Sequence, residues 1–135
     1  MNADALQQIA QSVENYIGQL RQHADELKRQ LNDVENNKGT LKQRIMAEVA
    51  ATITHDVGRE SAARIAQEQY RVQAKAGDDQ AKGIKDAVQA VQKHIGETES
   101  VHTELRRYEA SLRDLESKAS SYAQQAQSLM SRGIG

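Results

Sequence analysis

Apolar residues in the C-terminal part of the chain recur at strictly alternating steps of three and four residues. They are Leu105, Tyr108, Leu112, Leu115, Ala119, Tyr122, Ala126 and Leu129. This is the a/d spacing of a coiled coil, in which one face of a long helix packs against another helix. The same spacing runs through the N-terminal part, at Leu6, Ala10, Val13, Ile17, Leu20, Ala24, Leu27, Leu31 and Val34. The chain is therefore predicted to form long helices that pack along narrow apolar stripes.

The composition supports this prediction. The 135 residues include no Pro, Cys, Trp or Phe, and the four tyrosines are the only aromatic residues. A thick globular interior usually needs aromatic bulk, whereas a helix that buries only a stripe does not. We therefore expect an all-α fold, an elongated antiparallel helical bundle or coiled-coil hairpin of two to three long helices. The length fits a single domain over residues 1–135.

Two clusters of turn-forming residues predict where the helices end. Residues 36–40 combine two Asn, a Gly and a Thr, and residues 76–80 combine a Gly with two Asp. We therefore expect helices over residues 3–37, 40–76 and 79–131, with a frayed tail over 132–135 and Asn2 or Asp4 as the first N-cap. A helix that continues through 36–40 is an alternative, because Lys38 keeps the heptad in phase. At Gly58, the sequence is compatible both with a kink and with a helix that continues through a solvated stretch.

Charge placement suggests the order of these helices. The middle helix is rich in Arg, whereas the positions that flank the stripes of the other two carry mainly Asp and Glu. We expect the middle helix to lie between the other two, although exposed ion pairs contribute little and these charges could simply be solvated.

Nothing in the sequence predicts catalysis or a cofactor. The histidines His23, His55, His94 and His102 lack the spacing of three or four residues that places two metal ligands on one helical face. No nucleophile motif and no phosphate-binding glycine loop is found. We therefore expect no enzyme activity, no cofactor and no metal, and interpret His94 as a residue of the stripe that fixes its register.

The end of the last helix is the candidate partner interface. The third predicted helix extends beyond the second over residues 116–131, which leaves an apolar stripe of Leu115, Ala119, Tyr122, Ala126 and Leu129. Exposed apolar patches usually mark interfaces, although this stripe could instead pack on the first helix. Arg64, Arg71 and Lys75 form a basic row, but a net charge of −1 does not favour a nucleic-acid partner.

We interpret the chain as a non-catalytic coiled-coil structural or adaptor protein that mediates protein–protein interaction and self-association, with a homo-oligomer expected. The alternatives are a component of a larger assembly, such as a virion or secretion apparatus, and a helical protein that binds a membrane surface. The N-terminus lacks the pattern of a secretory signal peptide. A cytoplasmic location is therefore expected, with leaderless export left open.

Overall fold

The protein consists of two long helices. The computed structural model describes residues 2–53 and 58–134, in which α1 spans Ala3–Ala50 and α2 spans Arg59–Ile134, with no strand in these ranges. The predicted all-α fold of long helices is confirmed. Asn2 is the N-cap of α1, since its side-chain oxygen accepts a hydrogen bond of 2.8 Å from the backbone N–H of Ala5.

The predicted helix boundaries are wrong at residues 36–40, at residues 76–80 and in the tail. Residues 36–40 lie inside α1 and residues 76–80 lie inside α2, so the expected break and the expected turn are both absent. The expected frayed tail is helical as far as Ile134. α1 ends at Ala50, and α2 begins at Arg59, directly after Gly58. The Gly58 carbonyl accepts a hydrogen bond of 3.0 Å from the N–H of Ala62 in the first turn of α2. His55 lies outside the described residues.

The expected order of three helices is wrong for the same reason. Residues 40–50 belong to α1 and residues 59–76 belong to α2, so there is no separate middle helix that could lie between two others. The Arg-rich stretch and the acidic stretch that follows it lie in one continuous helix.

One contact joins residues 36–40 of α1 to residues 76–80 of α2. Lys38 is partly buried at a heptad position of the α1 stripe, and its aliphatic stem passes over Gly77 of α2, where an added Cβ would lie 3.2 Å from Lys38 Cγ. The Lys38 ammonium forms an ion pair with the Asp78 carboxylate. This hydrogen-bonded ion pair raises the pKa of Lys38 above its ordinary value. Gly77 and Asp78 therefore accommodate a lysine from the facing helix, and the glycine makes room for its stem.

The contacts divide the described residues into two compact units. Unit 2 spans Arg21–Lys93 and joins the C-terminal part of α1 to the N-terminal part of α2. The two segments are antiparallel, because Lys38 pairs with Asp78 while the earlier Glu35 pairs with the later Lys85. The core of unit 2 contains Leu41, Ile45, Val49 and Ala62, with Ala66 and Ala74 packed against it.

Unit 1 contains the described residues up to Leu20 and those from His94 onward. On α1, the predicted stripe is correct, since Leu6, Ala10 and Ile17 are buried. On α2, only one of the two rows that make up the predicted stripe is partly buried, and the prediction that the other row is buried is wrong. Thr98, Leu105 and Leu112 (the a row) are partly buried as expected, but Tyr108 is 61 % exposed. The buried or partly buried neighbours are instead Ile95, His102 and Glu109, which we call the e row.

Candidate interaction face

Unit 1 exposes a row of large apolar side chains on α2. The members follow one another at steps of seven residues, and each is between 51 % and 65 % exposed: Val101, Tyr108, Leu115, Tyr122 and Leu129. A step of seven residues returns to nearly the same side of a helix. These five residues, which we call the d row, therefore line one continuous edge of α2.

The position of α1 explains why the d row is exposed. Each residue turns the helix by about 100°, so positions three and four residues after an a-row residue lie on opposite sides of it. In unit 1, α1 covers the a row and the e row. The d row lies on the other side of the a row and is left without a covering helix. A third helix packed there would complete the burial of the a/d stripe that the sequence contains.

α1 contributes apolar residues to the same side. The rings of Tyr16 and His94 meet edge to face with centroids 5.7 Å apart, and the Tyr16 hydroxyl lies 2.9 Å from His94 Nε2. Ile9 lies seven residues before Tyr16 and Val101 lies seven residues after His94, so both are on the same side of their helices, and both are at least 40 % exposed. We call the groove formed by Ile9, Tyr16, Val101 and Tyr108 the open flank.

The opposite side of the same helix pair is polar. The Arg113 guanidinium donates hydrogen bonds of 2.7 Å to Gln7 and 3.3 Å to Asp4, and Arg106 lies 3.8 Å from the Glu14 carboxylate. These contacts cross from α2 to α1 and cover the stripe with charged side chains. The helix pair of unit 1 thus has one polar flank and one apolar flank, and only the apolar one presents a surface for another helix.

Glu109 joins the polar contacts on α2. Arg106 donates a hydrogen bond of 2.9 Å to its carboxylate, and Arg113 donates a second one of 3.3 Å. The hydrogen bond from Arg106, followed by the one from Arg113, lowers the pKa of the Glu109 carboxyl below its ordinary value. A charged residue is therefore tolerated at this nearly buried position because both neighbours on the helix are cations.

The predicted partner-interface residues lie where α2 has no helix beside it in unit 1. The N–H of Ala3, the first residue of α1, donates a hydrogen bond of 3.0 Å to Glu116 on α2. After that point every side chain from residue 117 to 133, the C-terminal segment, is exposed. Ala119, Tyr122, Ala126 and Leu129 belong to this segment, and Leu115 lies just before it. The alternative that this stripe packs on α1 is wrong, and its role in binding a partner stays a prediction.

The C-terminal segment carries a third apolar row that the sequence reasoning missed. Ala123 and Met130 continue the e row beyond Glu116, and Met130 is 66 % exposed. The signal was present in the sequence, since Val88 and Ile95 occupy the same heptad position further upstream. That position is the one that α1 covers in unit 1.

His102 is more deeply buried against α1 than His94, although both histidines contact α1. Its Nε2 atom is buried, lies 3.9 Å from a Glu14 carboxylate oxygen and makes no hydrogen bond to any described residue. The His94 side chain is 49 % exposed, so its predicted place in the buried stripe is wrong. The physical reason is that α1 covers the e row, to which His102 belongs, whereas His94 meets α1 at the partly exposed ring of Tyr16.

The predicted basic row lies on α2 in unit 2, and its three residues are exposed. Arg64 pairs with Glu60 at 3.0 Å and Arg71 pairs with Glu68 at 2.6 Å. The pKa of Glu68 is lowered by its hydrogen bond from Arg71. Each of these arginines therefore has a carboxylate of the same helix beside it, which weakens the row as a binding site for a polyanion.

Comparisons of the chain with known protein families, with curated proteins and with solved structures found no match. Within residues 2–53 and 58–134, no group of His, Asp and Glu side chains is arranged to hold a metal ion. Neither of the two described helices contains a stretch that is long and apolar enough to cross a lipid bilayer.

Proposed function

We propose that this protein is a non-catalytic helical assembly protein that self-associates through the apolar face of unit 1. This face consists of the open flank and the apolar rows of the C-terminal segment. The observation that carries the proposal is the d row, which begins beside α1 and continues unbroken into the part of α2 that no helix of unit 1 covers.

The size of the exposed face supports the proposal. Eight large apolar side chains contribute to it: Ile9, Tyr16, Val101, Tyr108, Leu115, Tyr122, Leu129 and Met130. At the observed exposures each offers on the order of 100 Å² of surface. Together they approach the roughly 800 Å² per partner of a standard protein–protein interface. Contiguous exposed patches of more than a few hundred Å² usually mark interaction sites.

The spacing of the face supports an α-helix as the binding partner. A row repeating every seven residues matches the knobs of another long helix, which also repeat at that interval. The backbone groups along the interior of α2 are bonded within the helix, so an added β-strand would find no free donors or acceptors there. Helix-in-groove recognition is therefore the mode that this surface fits.

The test is the mass of the protein in solution. Analytical ultracentrifugation up to about 100 µM is expected to give a mass above the 15.0 kDa of one chain. The triple variant Leu115→Ser, Tyr122→Ser and Leu129→Ser is expected to sediment as a monomer. Circular dichroism should show that it keeps its helicity, because these side chains are exposed within the chain.

A matched control changes the far side of the same segment. Ser117, Gln124 and Ser131 repeat at the same interval of seven, two residues after each changed position. Replacing these three by Ala is expected to leave the mass of the assembly unchanged. A wild-type chain that stays monomeric, or a triple-Ser variant that associates as the wild type does, would refute the proposal.

A further inference from the structure

We infer that the open flank is filled by the C-terminal segment of a second copy of this chain, which runs antiparallel to the α2 that it contacts. This inference rests on the proposed function and specifies its partner and orientation. By two-fold symmetry, each copy would insert its C-terminal segment into the other copy's open flank.

The first argument is the width of the apolar stripe. After Glu116, the a, d and e rows of α2 are all apolar, with Ala119, Tyr122, Ala123, Ala126, Leu129 and Met130 in succession. A helix that packs on one neighbour needs two such rows. A third row is expected where the helix lies in a groove between two neighbours. The open flank is a groove of this kind, with α1 on one side and α2 on the other.

The second argument is the match of length and side-chain size. The C-terminal segment has about as many residues as the part of α2 that borders the open flank, from His94 to Tyr108 and one further turn. When Leu112 is placed opposite Leu115 of the second copy, a helix antiparallel to α2 brings two alanines of the segment against two large residues of the open flank. Tyr108 then lies opposite the second copy's Ala119, and Val101 lies opposite its Ala126. Alternation of large and small side chains across facing positions fills a helix interface without voids.

Charge and the third row agree with the same register. Arg132 of the second copy comes beside Glu97, on the side of the groove away from α1, where the two charges are opposite. Met130 of the second copy comes to the side of α1 at the level of Tyr16, so the third row meets the apolar residues that α1 contributes. Both sides of this end of the groove are thus matched by the chemistry of the inserted helix.

Two other arrangements fit less well. In a parallel pairing in register, Tyr108 would face Tyr108 of the second copy and Ala119 would face its Ala119. The two tyrosines would be overpacked, and the two alanines would leave a void. An antiparallel pairing shifted by one heptad would bring Lys118 against Lys118 of the second copy and leave Tyr16 uncovered. Like charges that face each other in this way are unfavourable.

Disulfide trapping distinguishes these arrangements, because the chain has no cysteine of its own. The variants Val101→Cys and Ala126→Cys are purified separately, mixed under reducing conditions and then oxidised. The mixture is expected to form a covalent dimer, whereas each variant alone is expected to form none. In the proposed arrangement, identical positions lie roughly 37 Å apart along the axis, far beyond the reach of a disulfide. Gln124→Cys, on the far side of the segment, serves as the control that should remain uncrosslinked in every mixture.

Any other crosslinking result would contradict the proposed arrangement. The proposed function would then be decided by the measured mass of the protein alone. Efficient crosslinking of Ala126→Cys alone would show a parallel pairing. Crosslinking of Ala126→Cys with Tyr108→Cys in place of Val101→Cys would show the pairing shifted by one heptad. An assembly of the expected mass that gives no crosslink in any mixture would show that another surface is used. A monomeric wild type would remove the proposed function itself.

Discussion

Replacing Gly39 by Ala distinguishes a continuous α1 from a chain that breaks at residues 36–40. In the structure Gly39 lies inside α1, and a Cβ added there meets nothing within 4 Å. Inside a helix Ala is more favourable than Gly by about 1 kcal/mol. If Gly39 instead ended a helix in the left-handed conformation, Ala would cost about 1–2 kcal/mol. The two arrangements therefore predict changes of opposite sign.

The size of the effect is sufficient for a thermal melt. For a chain of this length, 1 kcal/mol corresponds to a shift of roughly 3 °C in Tm. Far-ultraviolet circular dichroism should therefore show Gly39→Ala melting a few degrees above the wild type at the same protein concentration. Gly18→Ala is the matched control, since Gly18 also lies within α1 and its added Cβ also meets nothing within 4 Å. A lower Tm for Gly39→Ala together with a higher Tm for Gly18→Ala would refute the continuous helix.

Three further predictions follow from particular contacts. Gly77→Ala should stabilise less than the usual gain of about 1 kcal/mol, because its Cβ would lie 3.2 Å from Lys38 Cγ; thermal melts that show the full gain would contradict this packing. Ile45→Ala should cost about 2–5 kcal/mol in urea unfolding, since Ile45 is 1 % exposed, and a change below 1 kcal/mol would exclude the assigned core. Glu109→Gln should flatten the loss of stability in acid. The hydrogen bond from Arg106 lowers the pKa of the Glu109 carboxyl, so its stabilisation is present above its ordinary pKa of 4.5 and is lost as the pH falls below that value. Denaturation measured across this range that gives parallel curves for both proteins would contradict it.

The fold class could be predicted from the sequence because the apolar spacing of three and four residues is a direct property of a helix surface. On α1, the spacing identifies the buried residues as far as Leu41, including the passage through Lys38. The helix ends could not be predicted in the same way. Local turn chemistry favoured breaks at Gly39 and Gly77, whereas the structure pairs Lys38 with Gly77 and Asp78 across two helices. That pairing is visible only once the two helices are aligned.

The sequence predicted one part of the exposed apolar face and missed the rest. The residues from Leu115 to Leu129 are exposed within the chain. Sequence spacing alone treats the a and d rows as one stripe, so it could not reveal that α1 covers the a and e rows of α2 instead. Which rows of α2 are covered depends on how the two helices are rotated about their axes. The observed rotation leaves Val101 and Tyr108 exposed on the same side as Ile9 and Tyr16, and so extends the apolar face onto both helices.

Hydrogen–deuterium exchange of the amides in residues 117–133 tests the central claim most directly. These residues lie in α2, yet no side chain among them is covered by the rest of the chain. If a second copy covers them, their exchange should slow as the protein concentration rises, while the core around Ile45 keeps its exchange rate. Exchange that is equally fast at every concentration would show that nothing covers the stripe and would contradict the account.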